Sequence, residues 1–325
     1  MNSLTLSFVI PCLNEEKNIS ETINKCIKEA EKLNIVFEII VIDNGSIDNS
    51  KAIAEELGVK VIDEKTRGYG IAIQTGLKNA SNDICLILDA DSTYDPSCLK
   101  EIIKIFINRK ADLVIGNRWG FGIEKDAMSP LHKYLGNPIL SLIGKYLFNV
   151  KINDFHCGIR AVKTQVARNL PFSVKGMEFA TEMIALASIY KYKLEEFPTK
   201  LLKSKYKRTT HLKTWSDGWR HLSYMISMSP AKSFLYPGLL IQIFSLIFLF
   251  RFAILNNFFR EFSGINTFLI SFFLSLTSFL LIKEYFETKY LLHLKLNLNK
   301  EKRKNFKVFK SFAKLAFINL LLITV

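Results

Sequence analysis

The chain has 325 residues, of which 49% are hydrophobic, and its mean hydropathy is +0.16. This composition excludes a disordered or collagen-like chain, because such chains cannot assemble a core. The formal net charge of +14 is typical of proteins that bind nucleic acid or an anionic membrane surface. The five cysteines form no CxxC pair, so neither a disulfide framework nor a zinc site is indicated, and the first ten residues do not predict a signal peptide.

Short β-rich runs alternate with helical patterns through the first 230 residues or so. The runs are almost continuously apolar, as expected for strands that are buried on both faces. The alternation predicts an α/β fold with a mostly parallel sheet and helices on both faces. Asp48 is predicted to cap one helix, and Gly58 to end it. Strands are predicted at 4–10, 36–42, 59–62, 84–88 and 112–115, and helices at 15–33, 48–57, 69–79 and 96–108.

The composition changes towards the C-terminus. Residues 211–230 place Trp215 and Trp219 at helical spacing, which predicts an amphipathic helix in the headgroup layer, with an ordinary packed helix as the alternative. Residues 233–250 and 263–282 carry no charge and are long enough to span a bilayer, although two buried core helices would show the same pattern. A third apolar run, 312–325, is short and predicts a partial span or an interfacial helix. The predicted domains are therefore an α/β domain at 1–210, the interfacial helix at 211–230 and a membrane domain at 231–325.

The basic residues predict an orientation. Residues 283–310 contain nine Lys or Arg against three Glu, whereas 251–262 contain two Arg. The positive-inside rule then places 283–310 and the N-terminal domain in the cytoplasm. The sequence therefore predicts a multi-pass protein of the cell membrane with its α/β domain inside the cell.

The strongest motif is a pair of carboxylates after a buried strand. Asp89 and Asp91 follow the run at 84–88, at the edge of the sheet where open α/β sheets bind ligands. Two such carboxylates can share one Mg²⁺ or Mn²⁺ with a diphosphate, because these ions favour carboxylate and phosphate oxygens. A solvated turn is the alternative for a DxD taken alone.

Three further polar turns follow predicted strands, at 11–16, 43–48 and 67–70. The second could hold a base or ribose, and the third could bring Arg67 and backbone N–H groups to a phosphate. The third turn is not GxGxxG, so a Rossmann dinucleotide site is not supported. Plain βα turns are the alternative for each. Because the carboxyl ends of parallel strands share one edge, all four turns are predicted to lie together.

Together these turns resemble the nucleotide-diphospho-sugar-binding domain of family 2 glycosyltransferases, which has the GT-A fold. Over residues 4–230 the chain also resembles the dolichol-phosphate mannosyltransferases and their bacterial undecaprenyl-phosphate relatives. The segments that carry this closer resemblance are 114–118 (VIGNR), 126–137, 154–160 (DFHCGIR), 176–182 and 217–221 (DGWRH).

The resemblance implies an inverting transferase that moves one hexose from a donor of the UDP-glucose or GDP-mannose type to a polyprenyl phosphate, with Mg²⁺ or Mn²⁺. It implies that Asp89 and Asp91 hold the metal, and that Arg118 faces the sugar or acceptor phosphate. The catalytic residues that we predict are Asp91, Arg118, Asp154 and Arg208, with Asp154 near the sugar and Arg208 on a phosphate. Those predicted to bind the nucleotide sugar are Pro11, Leu13, Glu15, Asp43, Ser46, Arg67, Gly68, Asp89 and Ala90.

Two residues depart from the family pattern, and other functions stay open. Asn44 stands where many relatives have Asp, and Thr93 where some have Gln. A synthase that extends a polysaccharide usually carries a Gln-x-x-Arg-Trp motif, which this chain lacks. A transferase with another lipid acceptor and a membrane scaffold that retains the fold are further alternatives, whereas the two candidate spans argue against nucleic acid as a partner. The sequence is compatible with a homo-oligomer.

Overall fold

In the computed structural model, the chain divides into two compact units, Met1–Met225 and Ile226–Val325. The structure describes residues 4–206, 214–255 and 263–296, and only the backbone of 252–255 and 263–265. The division between the units falls between the predicted domain boundaries at 210 and 230. The three-part domain organisation stays a prediction.

A seven-stranded sheet forms the centre of the first unit. Its strand order is β3-β2-β1-β4-β6-β5-β7, and every neighbouring pair is parallel except those of β6, which is antiparallel to β4 and β5. The mostly parallel sheet predicted from the sequence is therefore confirmed. The strands are β1 (Leu6–Cys12), β2 (Phe37–Asp43), β3 (Lys60–Asp63), β4 (Ile84–Ile87), β5 (Leu113–Asn117), β6 (Arg160–Lys163) and β7 (Leu194–Pro198).

Helices cover the sheet closely. All of β4 and the first five residues of β1 are buried, and successive side chains point to opposite faces, so both faces of these strands are covered. At Gly76 a Cβ would lie 2.4 Å from Val9, so only glycine permits this approach of helix to sheet. The helices are α1 (Ile19–Lys32), α2 (Ser50–Glu56), α3 (Tyr69–Asn79), α4 (Leu99–Arg109), α5 (Arg118–Phe121), α6 (Asn137–Phe148), α7 (Thr164–Asn169), α8 (Phe179–Ile189), α9 (Thr214–Met228), α10 (Tyr236–Leu255) and α11 (Ser263–Lys295).

The strand register sets the carboxyl ends of β1, β2 and β4 side by side. Cys12 pairs with Asp43, and Val9 pairs with Ile87. The turns after these strands therefore meet at one edge, as predicted. Because β6 runs the other way, the residues that precede β6 reach the same edge.

Several predicted boundaries are wrong by a few residues. β1 continues through Pro11 to Cys12, and α1 begins at Ile19 rather than at Glu15. α2 begins at Ser50, although the Asp48 carboxylate still accepts the Ser50 N–H at 3.0 Å. The helix predicted at 96–108 is a short 3₁₀ turn, Pro96–Cys98, followed by α4. Gly58 does follow the helix with a φ of +71°, and α3 has the predicted bounds.

The second unit contains two long apolar helices. Segments Ala231–Arg251 and Asn266–Lys295 are long and apolar enough to cross a membrane, and within an apolar 18-residue stretch of each, 11% and 17% is buried. So little burial argues against two core helices. α10 and α11 pack through hydroxyl groups, since Ser245 donates to the Ser271 carbonyl at 2.8 Å and Ser271 donates to that of Ser245 at 2.9 Å. The run at 312–325 lies outside the described residues.

Candidate active site

The Asp89–Asp91 turn follows β4, and its two carboxylates are held from different sides. The Asp91 side chain is 4% exposed, and its Oδ1 accepts the backbone N–H and the hydroxyl of Thr93, at 3.0 and 2.5 Å. Asp89 Oδ1 accepts the hydroxyl of Tyr69 at 3.0 Å. Burial, and then the Asp89 charge, raise the pKa of Tyr69 well above its usual value, so this hydroxyl stays a donor. Thr93 therefore orients Asp91. The sequence showed only that Thr93 stands where some relatives have Gln, and it did not predict this role.

Contacts to the backbone of this turn fix its position. The carbonyl of Ala90 accepts the hydroxyl of Thr22 on α1 at 3.0 Å, so Ala90 is anchored to that helix. A Cβ on Gly158 would lie 2.4 Å from Asp89 Oδ2, and only glycine at that position leaves room for the carboxylate.

This donor set fits one divalent ion shared with a diphosphate. The described residues contain no group of three His, Cys, Asp or Glu that could hold a metal without help. Asp89 and Asp91 offer two hard oxygen ligands, and Mg²⁺ is commonly bound by one or two carboxylates together with water and substrate phosphates.

The turns after β1 and β2 are bonded to each other. The Asp43 carboxylate accepts the N–H groups of Gly45 and Ser46, at 3.2 Å each. Ser46 Oγ in turn accepts the N–H of Asn14 at 3.0 Å. The structure thus brings Asp43 and Ser46 to the predicted edge and shows that both side chains shape the turn.

Asn44 joins this turn to the next one. Its side-chain N–H₂ donates to the carbonyls of Glu64 and Thr66, at 3.0 and 2.8 Å, and its Oδ1 accepts the N–H of Gly68 at 2.7 Å. An Asp could not make the two donations. The departure from the family's Asp therefore has a structural reason, which the local sequence pattern did not reveal.

The 67–70 turn corrects one prediction. The N–H groups of Gly70 and Ile71 donate to the carbonyl of Lys175, at 2.9 and 3.3 Å, and that of Gly68 is bonded to Asn44. These N–H groups therefore do not cradle a phosphate, because another segment of the chain already caps α3. Gly68 has a φ of +146°, and a Cβ there would lie 2.3 Å from the Lys175 carbonyl oxygen. Arg67 is exposed, and its Nη2 donates to the Gly45 carbonyl at 3.4 Å.

Pro11, Leu13 and Glu15 lie where β1 passes into α1. The sequence suggested that Glu15 lies in the first turn of the helix, but it lies in the loop that precedes α1. Its N–H donates to Ser50 Oγ at 2.7 Å, and its Oε2 accepts the side-chain N–H of Asn18 at 2.8 Å. All three residues are part of the same edge, and their nucleotide contacts stay a prediction.

Arg118 and Asp154 form a buried ion pair. Arg118 Nε and Nη2 donate to the two oxygens of Asp154, each at 2.7 Å, and the Arg118 N–H adds a third bond at 3.2 Å. The Asp154 side chain is fully buried and that of Arg118 is 6% exposed. The family resemblance implied that Asp154 lies near the sugar and that Arg118 faces the sugar or the acceptor phosphate, but it did not predict that the two residues bind each other.

A second buried arginine, Arg160, was not predicted as a site residue. Its guanidinium donates to the carbonyls of Cys157 at 2.7 Å, Phe155 at 2.6 Å and Ala180. Burial lowers the pKa of Arg160. These bonds fold the 155–160 segment around a cation.

Tyr94 connects this cationic segment to the Asp89 turn. Its hydroxyl accepts the N–H of Gly158 at 2.9 Å, and Gly158 contacts Asp89. The carboxylate turn and the segment of Asp154 to Arg160 are therefore one continuous cluster.

Helix α9 has one buried face and one exposed face. Asp217 and His221 are buried, and Tyr224 donates to Glu182 of α8 at 3.1 Å. Trp215 and Trp219 are 81% and 66% exposed. The helix thus packs on the first unit, which agrees with the alternative prediction of an ordinary packed helix. It also exposes the two Trp side chains that led to the prediction of a helix in the headgroup layer. Arg208 lies outside the described residues, so its predicted role stays a prediction.

Sequence reasoning missed a second exposed apolar surface. Along α6 and the π-helical turn before it, large apolar side chains recur every three or four residues, which is a signal that could have been found. The exposed side chains are Leu131, Leu135, Ile139, Leu142 and Tyr146. A contiguous apolar stripe of this kind marks an interaction surface.

The fold is of the GT-A type, with a mostly parallel α/β sheet. A profile of glycosyl transferase family 2 matches residues 7–170, about half of the chain, and the chain belongs to this family. The match runs from β1 through α7 and includes both parts of the cluster.

Individual relatives agree with this assignment. The low-salt glycan biosynthesis hexosyltransferase Agl6 of Haloferax volcanii is 32% identical over 72% of this chain, which spans 56% of that protein. The UDP-N-acetylglucosamine-dolichyl-phosphate N-acetylglucosaminyltransferase of Methanococcus voltae is 30% identical over 61% of this chain and 86% of its own. Among solved structures, glucosyl-3-phosphoglycerate synthase from Mycobacterium tuberculosis, in complex with Mn²⁺ and UDP, has a TM-score of 0.54 at 20% identity, covering 70% of this chain and 80% of that one. That likeness shows the fold.

Proposed function

We propose that this glycosyltransferase is a membrane-bound inverting enzyme that moves one hexose from a nucleotide-diphospho-sugar to a polyprenyl phosphate. The observation that carries the proposal is the contact between an anionic and a cationic cluster at one edge of the sheet. The anionic cluster is the Asp89–Asp91 turn, and the cationic one is the segment that contains Arg160. The first suits a metal-bound diphosphate and the second suits the phosphate of an acceptor.

The donor half consists of the turns after β1 to β4. A Mg²⁺ or Mn²⁺ ion on Asp89 and Asp91 would neutralise the charge of the departing diphosphate. Tyr69 and Thr93 hold the two carboxylates in place for this purpose. The turn of Asp43 is held to its neighbours by hydrogen bonds, so it offers a rigid surface to the nucleoside.

The acceptor half needs positive charge more than it needs a base. Glycosyl transfer passes through an oxocarbenium-like transition state, and a hydroxyl acceptor requires a carboxylate to remove its proton. A phosphate is already an anion, so it requires only cationic groups that position it. Arg160 provides a cation that no carboxylate in these bonds neutralises, whereas the charge of Arg118 is paired with Asp154. The name of the Methanococcus voltae relative includes a dolichyl-phosphate acceptor.

The second unit and one exposed surface of the first support a membrane location. α10 and α11 have the length and composition of spans, and Trp215 and Trp219 are exposed as in an interfacial helix. The basic residues of 283–310 favour a cytoplasmic catalytic unit in a multi-pass protein of the cell membrane.

The acceptor can be identified directly. Membranes that contain the protein would be incubated with undecaprenyl or dolichyl phosphate and a panel of radiolabelled nucleotide sugars, with membranes that contain Asp91→Asn as the control. We expect a monoglycosylated polyprenyl phosphate that mild acid cleaves. A labelled polymer, or an acid-stable glycosylated diacylglycerol, would contradict the acceptor and favour the alternative transferases. Absence of labelling with every sugar would favour a scaffold without activity.

A further inference from the structure

One ring nitrogen in the cationic segment lacks a partner. Within the part of the chain that the structure describes, Nε2 of His156 is buried and makes no hydrogen bond. Its backbone N–H donates to Asp154 Oδ1 at 3.2 Å, so the residue belongs to the turn that holds Arg118. Native proteins leave few buried polar atoms unpaired. A bound group is therefore expected to complete the bonding of this nitrogen.

The ring of His156 is held in a fixed orientation. It packs edge-on against the ring of His221 on α9, with centroids 4.6 Å apart and an angle of 89°. His221 is itself fixed, because its Nδ1 lies 2.7 Å from the hydroxyl of Thr181 on α8. A phenyl ring would make the same packing contact. Packing alone therefore does not account for the imidazole at this position.

The charges around His156 favour an anion. The ring contacts His221 of α9, and the positive charges whose electrostatic influence reaches it also include those of Arg118 on α5, Arg160 on β6 and His132 in the turn before α6. After burial itself, these groups lower the pKa of His156 well below its usual value, so the imidazole is neutral in the free protein. The nearby carboxylate of Asp154 is engaged by Arg118, and the bonds described for Arg160 go to backbone carbonyls.

We propose that His156 is a positioning residue whose Nε2–H donates a hydrogen bond to a phosphate oxygen of the acceptor lipid. The inference rests on the proposed function and names a further residue of the same site. We assign the oxygen to the acceptor because the His156 ring packs on α9, the helix that exposes Trp215 and Trp219. The donor diphosphate is assigned to Asp89 and Asp91.

The bound phosphate has a further effect on His156. Its negative charge offsets the surrounding cations and so raises the affinity of the imidazole for a second proton. Phosphate binding is then accompanied by proton uptake, and it weakens as the pH rises. The phosphate ester has a second pKa of about 6 of its own, so the effect of His156 is the difference in pH dependence between the wild type and His156→Phe.

The test compares two variants of the full-length protein in detergent. His156→Phe keeps the ring that packs on His221 and removes the nitrogen, whereas His156→Gln restores an N–H donor. Binding of farnesyl phosphate and, separately, of UDP with Mn²⁺ would be measured by calorimetry from pH 5.5 to 8.5. Transfer to undecaprenyl phosphate would give KM for each substrate, and thermal unfolding would show that the variants are folded.

We expect His156→Phe to weaken farnesyl phosphate binding and to raise KM for the lipid roughly 10- to 100-fold, the range of one hydrogen bond to a charged group. His156→Gln should recover part of this loss, and UDP binding should be unchanged in both variants. If the wild type transfers sugar to the lipid and His156→Phe binds the lipid with the same affinity as the wild type, the inference about His156 is overturned, but the proposed function is not. A loss of UDP affinity instead would assign the nitrogen to the donor and also overturn the inference. Wild-type protein that neither binds nor glycosylates a prenyl phosphate would overturn the proposed function.

Discussion

The buried ion pair of Arg118 and Asp154 gives a quantitative test of how the site is built. Asp154→Asn preserves the shape of the side chain but removes its charge, and it places an N–H₂ group against the Arg118 guanidinium. Two bonds of 2.7 Å and one of 3.2 Å depend on the carboxylate. Removing one partner of a buried pair costs about 3–5 kcal/mol, because the other charge stays buried without compensation. For a unit of this size that loss lowers the melting temperature by roughly 10 °C.

The assay is thermal unfolding of the full-length protein in detergent, followed by circular dichroism. Asp126→Asn is a matched control, because Asp126 is exposed and pairs with Lys203 at 3.3 Å. An exposed pair contributes about 0–1 kcal/mol, so the control should melt close to the wild type. The double variant Arg118→Met/Asp154→Leu should recover much of the stability without restoring transfer. An Asp154→Asn protein that melts together with the Asp126→Asn control would refute the reasoning.

Four further predictions concern the metal, the nucleotide turn, the histidine pair and the membrane topology. Asp91→Asn should lower transfer on the order of 100-fold, and full activity of this variant in the presence of EDTA would contradict the metal site. The Asn44→Asp variant loses the two hydrogen bonds that Asn44 donates to the carbonyls of the 64–66 turn. We expect its free energy of unfolding to be about 1–3 kcal/mol lower and its affinity for UDP to be weaker. An unchanged melting temperature and UDP affinity would argue against this role. Burial lowers the pKa of His221 from 6.5 to about 4. As the pH falls, the imidazole is therefore protonated in the unfolded chain before it is protonated in the folded protein, and the free energy of unfolding should fall by about 3 kcal/mol between pH 6.5 and pH 4. His221→Gln should flatten this dependence if the assignment is right. Single cysteines at Asn256 and Asn299, in a background without the native five, should react with an impermeant thiol reagent in intact cells at Asn256 only, and labelling of Asn299 alone would reverse the predicted hairpin.

The fold was predictable where a signal is local. The apolar runs located the strands, and Gly68 before α3 marked its start correctly. The start of α1 was wrong because Glu15 and Glu16 look like the first turn of a helix. Instead they bond to a distant segment, since the Glu15 N–H donates to Ser50 and Glu16 Oε2 accepts the N–H of Asn49 at 3.2 Å. Contacts between residues more than 30 positions apart leave no periodic pattern in the sequence.

The site shows the same division. Asp89 and Asp91 were identifiable because they directly follow an apolar strand. The pairing of Arg118 with Asp154 was not, because each residue alone is compatible with a ligand contact as well as with an ion pair. Asn44 was noticed only as a departure from a family pattern. Its three bonds to the 64–68 turn depend on how β2 and β3 are aligned, which the sequence does not specify.

The reversed direction of β6 has a consequence for how such enzymes can diversify. In a sheet with parallel strands only, each strand reaches the ligand edge through the residues that follow it. β6 reaches that edge through the residues before it, 154–159, so the stretch from α5 to β6 leaves the edge and returns to it. Insertions in that excursion would reshape the proposed acceptor side without moving the strands that hold Asp43 and Asp89. One strand of opposite direction thus lets the two substrate specificities vary independently.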